Sequence, residues 1–256
     1  MEKINFRGFL TLVEREYYRF FRLAVQTIFP PIITTLLFIL IFGYSLGEKI
    51  QTINNLPYIL YILPGLAAMG VISNSFSNSS TSLFMARMDR SIENILAAPL
   101  SHLQIVGSFV IGGVTRGLVV GLTTLIVAKV MTPLTFSSLL GTLLSLVLIS
   151  VTFSSLGIIA ALWSEDWDHL ATFTNFVITP FLYLGGVFYS ITMLPPFWQK
   201  VSYFNPIWYL VDDFRRQVLG IGDLPAWQSQ LVLWALALST FLMAVRLFQK
   251  GWKLIH

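Results

Sequence analysis

Six long apolar stretches, with the charges crowded between them, set what this chain can fold into. They cover residues 24–46, 58–72, 105–130, 139–163, 173–189 and 231–248. A hydrocarbon core about 30 Å thick takes roughly 20 helical residues to cross, so each stretch is a span or most of one. In lipid every backbone N–H and C=O must be satisfied within the segment, which selects helices. The expected fold class is all-α integral membrane, with six transmembrane helices. Residues 1–256 read as one transmembrane domain, because the spans leave room only for short loops, a flanking helix and one longer insertion.

Only 11% of the residues are charged, against roughly 25% in a soluble domain. There is no cysteine, which excludes disulfides, thiol catalysis and thiolate metal sites. Lys and Arg number 16 against 12 Asp and Glu. In a membrane protein that excess points to topology and anionic lipid rather than to nucleic acid. Lys3, Arg7, Arg15, Arg19, Arg22, Arg87, Arg90, Arg246, Lys250 and Lys253 fall on one side; Lys49, Lys129, Lys200, Arg215 and Arg216 fall on the other. Basic residues are retained in the cytoplasm, so both termini are expected there. The first span does not read as a cleavable signal, since a helical segment precedes it.

That segment, 5–22, carries Phe6, Phe9, Leu10, Val13, Tyr17 and Phe20 at helical spacing, with Arg15, Arg19 and Arg22 on the other side. The pattern predicts an amphipathic helix lying in the membrane interface, as an anchor or a docking surface. Pro30-Pro31 is expected to kink the first span. The second span is expected to break at Pro64-Gly65 and then turn polar from Ser73 to Ser82. Such a run faces other helices or a polar passage, which makes Asn74, Ser77 and Asn78 candidate pathway residues. Residues 86–100 predict a short cytoplasmic amphipathic helix: Ile92, Ile95 and Leu96 share one face, Arg90, Glu93 and Asn94 lie beside and opposite, and Pro99 ends it.

The third span carries Gly113, Gly117 and Gly121, a small-residue ridge for close helix approach. Beside it is Arg116, the one fixed charge deep in a span, read either as a snorkelling or paired residue or as part of a substrate path. Residues 191–225 hold Pro195-Pro196, Asn205-Pro206 and many aromatics. They are too broken to span and too aromatic for an aqueous loop, so they predict short re-entrant helices in the outer leaflet. Phe188, Tyr189, Trp198 and Trp208 either anchor at the interface or stack on sugars; Phe188 and Tyr189 are further pathway candidates.

Arg90-Ser91-Ile92-Glu93-Asn94-Ile95-Leu96-Ala97-Ala98-Pro99-Leu100, the run Tyr183-Leu184-Gly185-Gly186-Val187-Phe188-Tyr189-Ser190 leading to Leu194-Pro195-Pro196-Phe197-Trp198, Asn205-Pro206, and Arg215-Arg216 through Gly220 together resemble the permease subunit of an ABC exporter of the ABC-2 type. The likeness covers essentially the whole chain. It implies an interfacial N-terminal helix, six spans, a coupling helix after the second and re-entrant helices before the sixth. By this resemblance Arg87, Arg90, Glu93, Asn94 and Leu96 belong to the coupling helix that seats in an ATPase subunit, although Ser91-Ile92 stands where many relatives have Gly-Thr. The partners implied are a separate ABC ATP-binding subunit, a second copy of this chain, membrane lipid and an exported substrate of unknown identity, in a bacterial inner membrane.

Other classes fit less well. No G-x-x-x-x-G-K-[ST] loop is present to cradle ATP phosphates, so the energy would come from the partner. An intramembrane enzyme needs His, paired carboxylates or a Ser–His pair at membrane depth. His102, His169 and His256 all fall at cytoplasmic edges, and no catalytic, cofactor or metal residues are assigned. The alternative is an ion-coupled secondary transporter, which normally needs intramembrane acids or internal repeats. On this reading the spans contain no buried Asp or Glu, and Asp212 and Asp213 have no evident partner beyond the adjacent Arg pair.

Overall fold

The computed structural model describes residues 5–22, 24–45, 52–53 and 56–251. Lys3, Lys49 and Lys253 of the charge pattern, His256, and the expected end of the first span at Leu46-Gly47 lie outside the described residues. The elements are α1 (Phe6–Arg22), α2 (Ala24–Phe38) continued by a π-helical segment Ile39–Ser45, a two-residue hairpin β1 (Thr52–Ile53) and β2 (Leu56–Pro57), α3 (Tyr58–Met88), α4 (Ser91–Ala97), α5 (His102–Met131) and α6 (Leu139–Trp163). After these come α7 (Trp167–Phe173), α8 (Thr179–Tyr183), α9 (Pro196–Tyr203), α10 (Pro206–Leu219) and α11 (Ala226–Gln249).

Among the described residues, five helices are long and apolar enough to cross a membrane: Ala24–Gly43, α3, α5, α6 and α11. The expected fifth span, 173–189, is built differently. Asp166 starts it early, its Oδ1 accepting from the His169 N–H at 2.7 Å, an N-cap arrangement. Helix runs from there through α7, a π-helical segment Thr174–Ile178 and α8, and ends at Tyr183. Pro180 explains the π segment. It cannot donate to the carbonyl four residues back, and the Thr179 N–H pairs with Thr174 instead, five back. Gly186 (φ 69°) then turns the chain, so 184–189 is a turn and not the end of a span.

The second span also differs from expectation. It does not break at Pro64-Gly65 or stop at Ile72, but runs unbroken for 31 residues to Met88. Its serines and threonines cost the helix little, because several return a bond to the preceding turn: Thr81 Oγ1 donates to the Ser77 carbonyl at 2.7 Å. Gly65 serves close approach instead of a break, since a Cβ there would meet the carbonyl of Val187.

Helix α3 is the centre of the bundle, clasped by α5 and α6. The ridge expected in the third span makes this possible: a Cβ on Gly113 would strike Ser79 and Ser154, one on Gly117 Ser75 and Ser150, and one on Gly121 Val71 and Leu146. From the other side, Gly157 of α6 sits against α3 backbone, with its Cβ position 2.5 Å from the Phe76 carbonyl. Three helices thus meet along a seam of Ser and Gly, where packing depends on backbone proximity.

Helix α10 closes the far end of the bundle. Asp212 accepts from the Asp223 N–H at 2.5 Å and from Ser229 Oγ at 2.8 Å. Asp213 accepts from Ser145 Oγ at 2.6 Å. Arg215 donates to the Gly186 carbonyl at 2.6 Å and lies over the Tyr61 ring, 4.0 Å from its centroid. Both aspartates and Arg215 are buried, which the sequence reading did not anticipate. The hydroxyl partners of the two aspartates come from other helices, Ser145 of α6 and Ser229 of α11.

Candidate functional site

Two regions gather the residues singled out from the sequence. The first is the reversal between α3 and α5. The helix expected over 86–100 is in fact shorter. Residues 86–88 finish α3, Arg90 adopts a left-handed conformation (φ 59°) uncommon for a side chain larger than glycine, and α4 occupies only Ser91–Ala97. Asp89 Oδ1 accepts from the Ser91 N–H at 2.9 Å, and bonds from Ser91 hold the Asp89 carboxyl below the usual carboxylate range. Ala98 is extended, as the residue before Pro99 must be.

Ile92 and Ile95 are buried, Leu96 is half-buried, and Arg90, Glu93 and Asn94 are exposed. Those three therefore share one polar surface anchored from beneath by two isoleucines. Arg87 is not with them. It is buried in the last turn of α3, where Nη1 donates to the carbonyls of Ala161 at 2.5 Å and Ser164 at 2.9 Å. These carbonyls belong to the end of α6, where helical partners have run out and a cation is favoured by the helix dipole. Arg87 bolts the root of α4 to the neighbouring span.

The second region is the polar stretch of α3. Asn74 is half-buried, with Nδ2 donating to Gly70 at 3.0 Å. It lines a cavity of about 210 Å³ with Pro30, Pro31 and Phe38 of α2 and Val120 and Thr124 of α5. Ser77 is half-buried. Asn78 is buried, and its carbonyl accepts from Arg19 Nη2 at 2.9 Å. Arg116 is half-buried on α5. Phe188 and Tyr189 lie at the other end of α3, where the Phe188 carbonyl accepts from Tyr58 Oη at 2.9 Å. The Phe188 ring stacks on Phe38 at 5.7 Å, so it adjoins the cavity wall, while Tyr189 donates back to the Tyr183 carbonyl at 3.3 Å.

One residue that sequence reasoning missed is Glu16, which is 2% exposed. It accepts from Ser82 Oγ at 2.8 and 2.9 Å and pairs with Arg19 at 3.0 Å. A Cβ on Gly112 would fall 2.9 Å from the Glu16 Cβ. The signal was available: Val13, Glu16 and Phe20 follow the i, i+3, i+7 spacing of one buried face. Helix α1 consequently climbs along α5, from Asn5, whose carbonyl accepts from Gln104 at 3.1 Å, up to Glu16 at Gly112. Phe6, Leu10, Tyr17 and Phe21 remain exposed on its outer side. Arg19, assigned to the solvent face, is turned inward.

Residues 7–218 match the family model described as ABC-2 type transporter. The chain is 40% identical over 237 residues to the inner membrane transport permease YadH of Escherichia coli K12, covering 93% of this chain and 93% of that one. It is 25% identical over 212 residues to nodulation protein J of Sinorhizobium fredii, covering 81% and 80%. It is also 24% identical over 219 residues to nodulation protein J of Rhizobium meliloti, covering 83% and 82%.

Proposed function

The chain belongs to the ABC-2 type transporter family, and on that premise we propose that it is the membrane-spanning permease subunit of an ATP-driven exporter. Two copies form the translocation pathway, and a separate ABC ATP-binding subunit docks on the cytoplasmic face of each. Both termini are cytoplasmic, 5–22 sits at the inner surface, and 191–225 re-enters the outer leaflet. Asn74, Ser77, Asn78, Arg116, Phe188 and Tyr189 are the candidate pathway residues.

The observation that carries the coupling role is α4. A seven-residue helix presents Arg90, Glu93 and Asn94 outward while Ile92 and Ile95 fix it to the bundle. A short lever of this kind passes motion from a bound partner into α3 and α5, which leave its two ends. Arg87 supports it from behind, and Leu96 sets its depth.

The test is copurification of the tagged chain in mild detergent with an ATP-binding subunit showing vanadate-sensitive turnover. In that complex Glu93→Arg places a cation where the partner meets a carboxylate. Transport should be lost with the protein still inserted and folded. Unchanged ATP-driven export in the variant would remove Glu93 from the coupling role. A chain that purifies alone in several detergents, without ATPase, would favour the ion-coupled alternative.

A further inference from the structure

Along α3, Asn74, Asn78 and Ser82 follow at four-residue steps; along α5, Gly112, Arg116, Val120 and Thr124 do the same. Residues four apart share a helix face. The two ridges are pinned together at both ends. Glu16 touches Ser82 and Gly112 at one; Asn74, Val120 and Thr124 line one cavity at the other. Asn78 and Arg116 therefore stand opposite each other in between, and Arg19 reaches the same level through its bond to the Asn78 carbonyl.

This level holds buried donors without a partner. Arg19 Nε, Asn78 Nδ2 and Arg116 Nε are buried donors with no acceptor among the described residues. Asn78 itself is 2% exposed. Arg19 pairs with Glu16, which Ser82 also engages, while Arg116 has no ion pair among the described residues. A net positive charge with unused donors buried between helices is costly unless an anion completes it. One helical turn further on, about 5.4 Å, the cavity wall is largely apolar, with Pro30, Pro31, Phe38, Leu66, Met69 and Val120. Pro30 and Thr34 of that wall are exposed toward the outside of the bundle.

We propose that the wedge between α1, α3 and α5 binds a phosphate-type oxyanion carried on a hydrocarbon chain, such as an anionic lipid. Arg116, Asn78 and Arg19 hold the phosphate, and the α2-lined cavity takes the start of the chain. Guanidinium and amide donors supply charge-assisted bonds to phosphate oxygens. The site uses the membrane placement of the proposed function but not its ATPase partner, so failure of either leaves the other standing.

The experiment uses the full-length chain, delipidated in detergent, and reads native mass spectra and melting temperature. The probes are phosphatidylglycerol, a diacylglycerol with the same acyl chains, and inorganic phosphate. Phosphatidylglycerol should be retained at one per chain and raise the melting temperature, while diacylglycerol should do neither. An equal rise with inorganic phosphate alone would assign the site to a free anion. Arg116→Gln should weaken retention about tenfold, the loss expected for one bond to a charged group, and Arg116→Lys should restore part of it. Should Arg116→Gln fail to fold, Asn78→Ala gives the same reading by removing the facing donor. Retention of phosphatidylglycerol at wild-type strength in either variant, or no response to any phosphate probe, would overturn the proposal.

Discussion

Replacing Arg87 by Met removes the clamp between the root of α4 and the end of α6 while keeping much of the aliphatic volume. The guanidinium donates to the carbonyls of Ala161 and Ser164. A bond from a charged donor contributes about 1.5–3 kcal/mol net. Two bonds sharing one nitrogen belong at the low end, giving about 3 kcal/mol in all. Methionine also leaves both carbonyls without that donor in a buried setting. A chain of this size loses about 2–4 °C per kcal/mol, so the melting temperature should fall by about 6–12 °C. Lysine keeps a cation but loses the planar fork, and should recover about half. Melting followed by fluorescence-detected size exclusion measures the loss. In the folded fraction, ATP turnover should persist while transport per ATP declines, because the lever then pivots on a loosened root. A methionine variant melting within about 2 °C of wild type, with transport unchanged, would refute the clamp.

Gly157→Ala should cost about 1–3 kcal/mol through overpacking, because its Cβ would press on the backbone carbonyl of Phe76 at 2.5 Å. Gly107→Ala is the control: its nearest neighbour there is Phe9 Cε2 at 3.8 Å, and its melting should be unchanged. Arg215→Lys should destabilise nearly as much as Arg215→Met, by about 2 kcal/mol, since stacking over Tyr61 needs the planar group. The same melting assay decides, and full recovery with lysine would rule out the stacking contribution.

The features legible in the sequence were those that a single helix declares by itself. Apolar length placed the spans of α3, α5, α6 and α11, and the four-residue glycine spacing marked the face of α5 that lies against α3 and α6. Ile92 and Ile95 were likewise readable as the inner face of a short helix. What escaped depends on partners remote in sequence. Pro64-Gly65 looks like a break until Val187 is seen to need the space. Asp212 and Asp213 look unpartnered because Ser229 and Ser145 belong to other helices. The end of α3 was hidden because serine and asparagine suit a helix end and a helix seam equally well. Arg87 was grouped with Arg90 by nearness in sequence, yet the left-handed turn at Arg90 points the two in different directions.

The length of α3 has a mechanical meaning. At 1.5 Å per residue its 31 residues form a rod about 46 Å long, longer than the roughly 30 Å hydrocarbon core. One end is fixed beneath the Gly185-Gly186-Val187 turn, and the other carries Arg87 and α4. A rod pivoting at one end by about 5° displaces the other by about 4 Å over that length. Pro64 lies near its Val187 end, and the helix continues through it. Under the proposed coupling role, a tilt of α4 would pass along this continuous helix to the Val187 turn, and a bulky ligand wedged against that turn would push back on α4 with the same leverage.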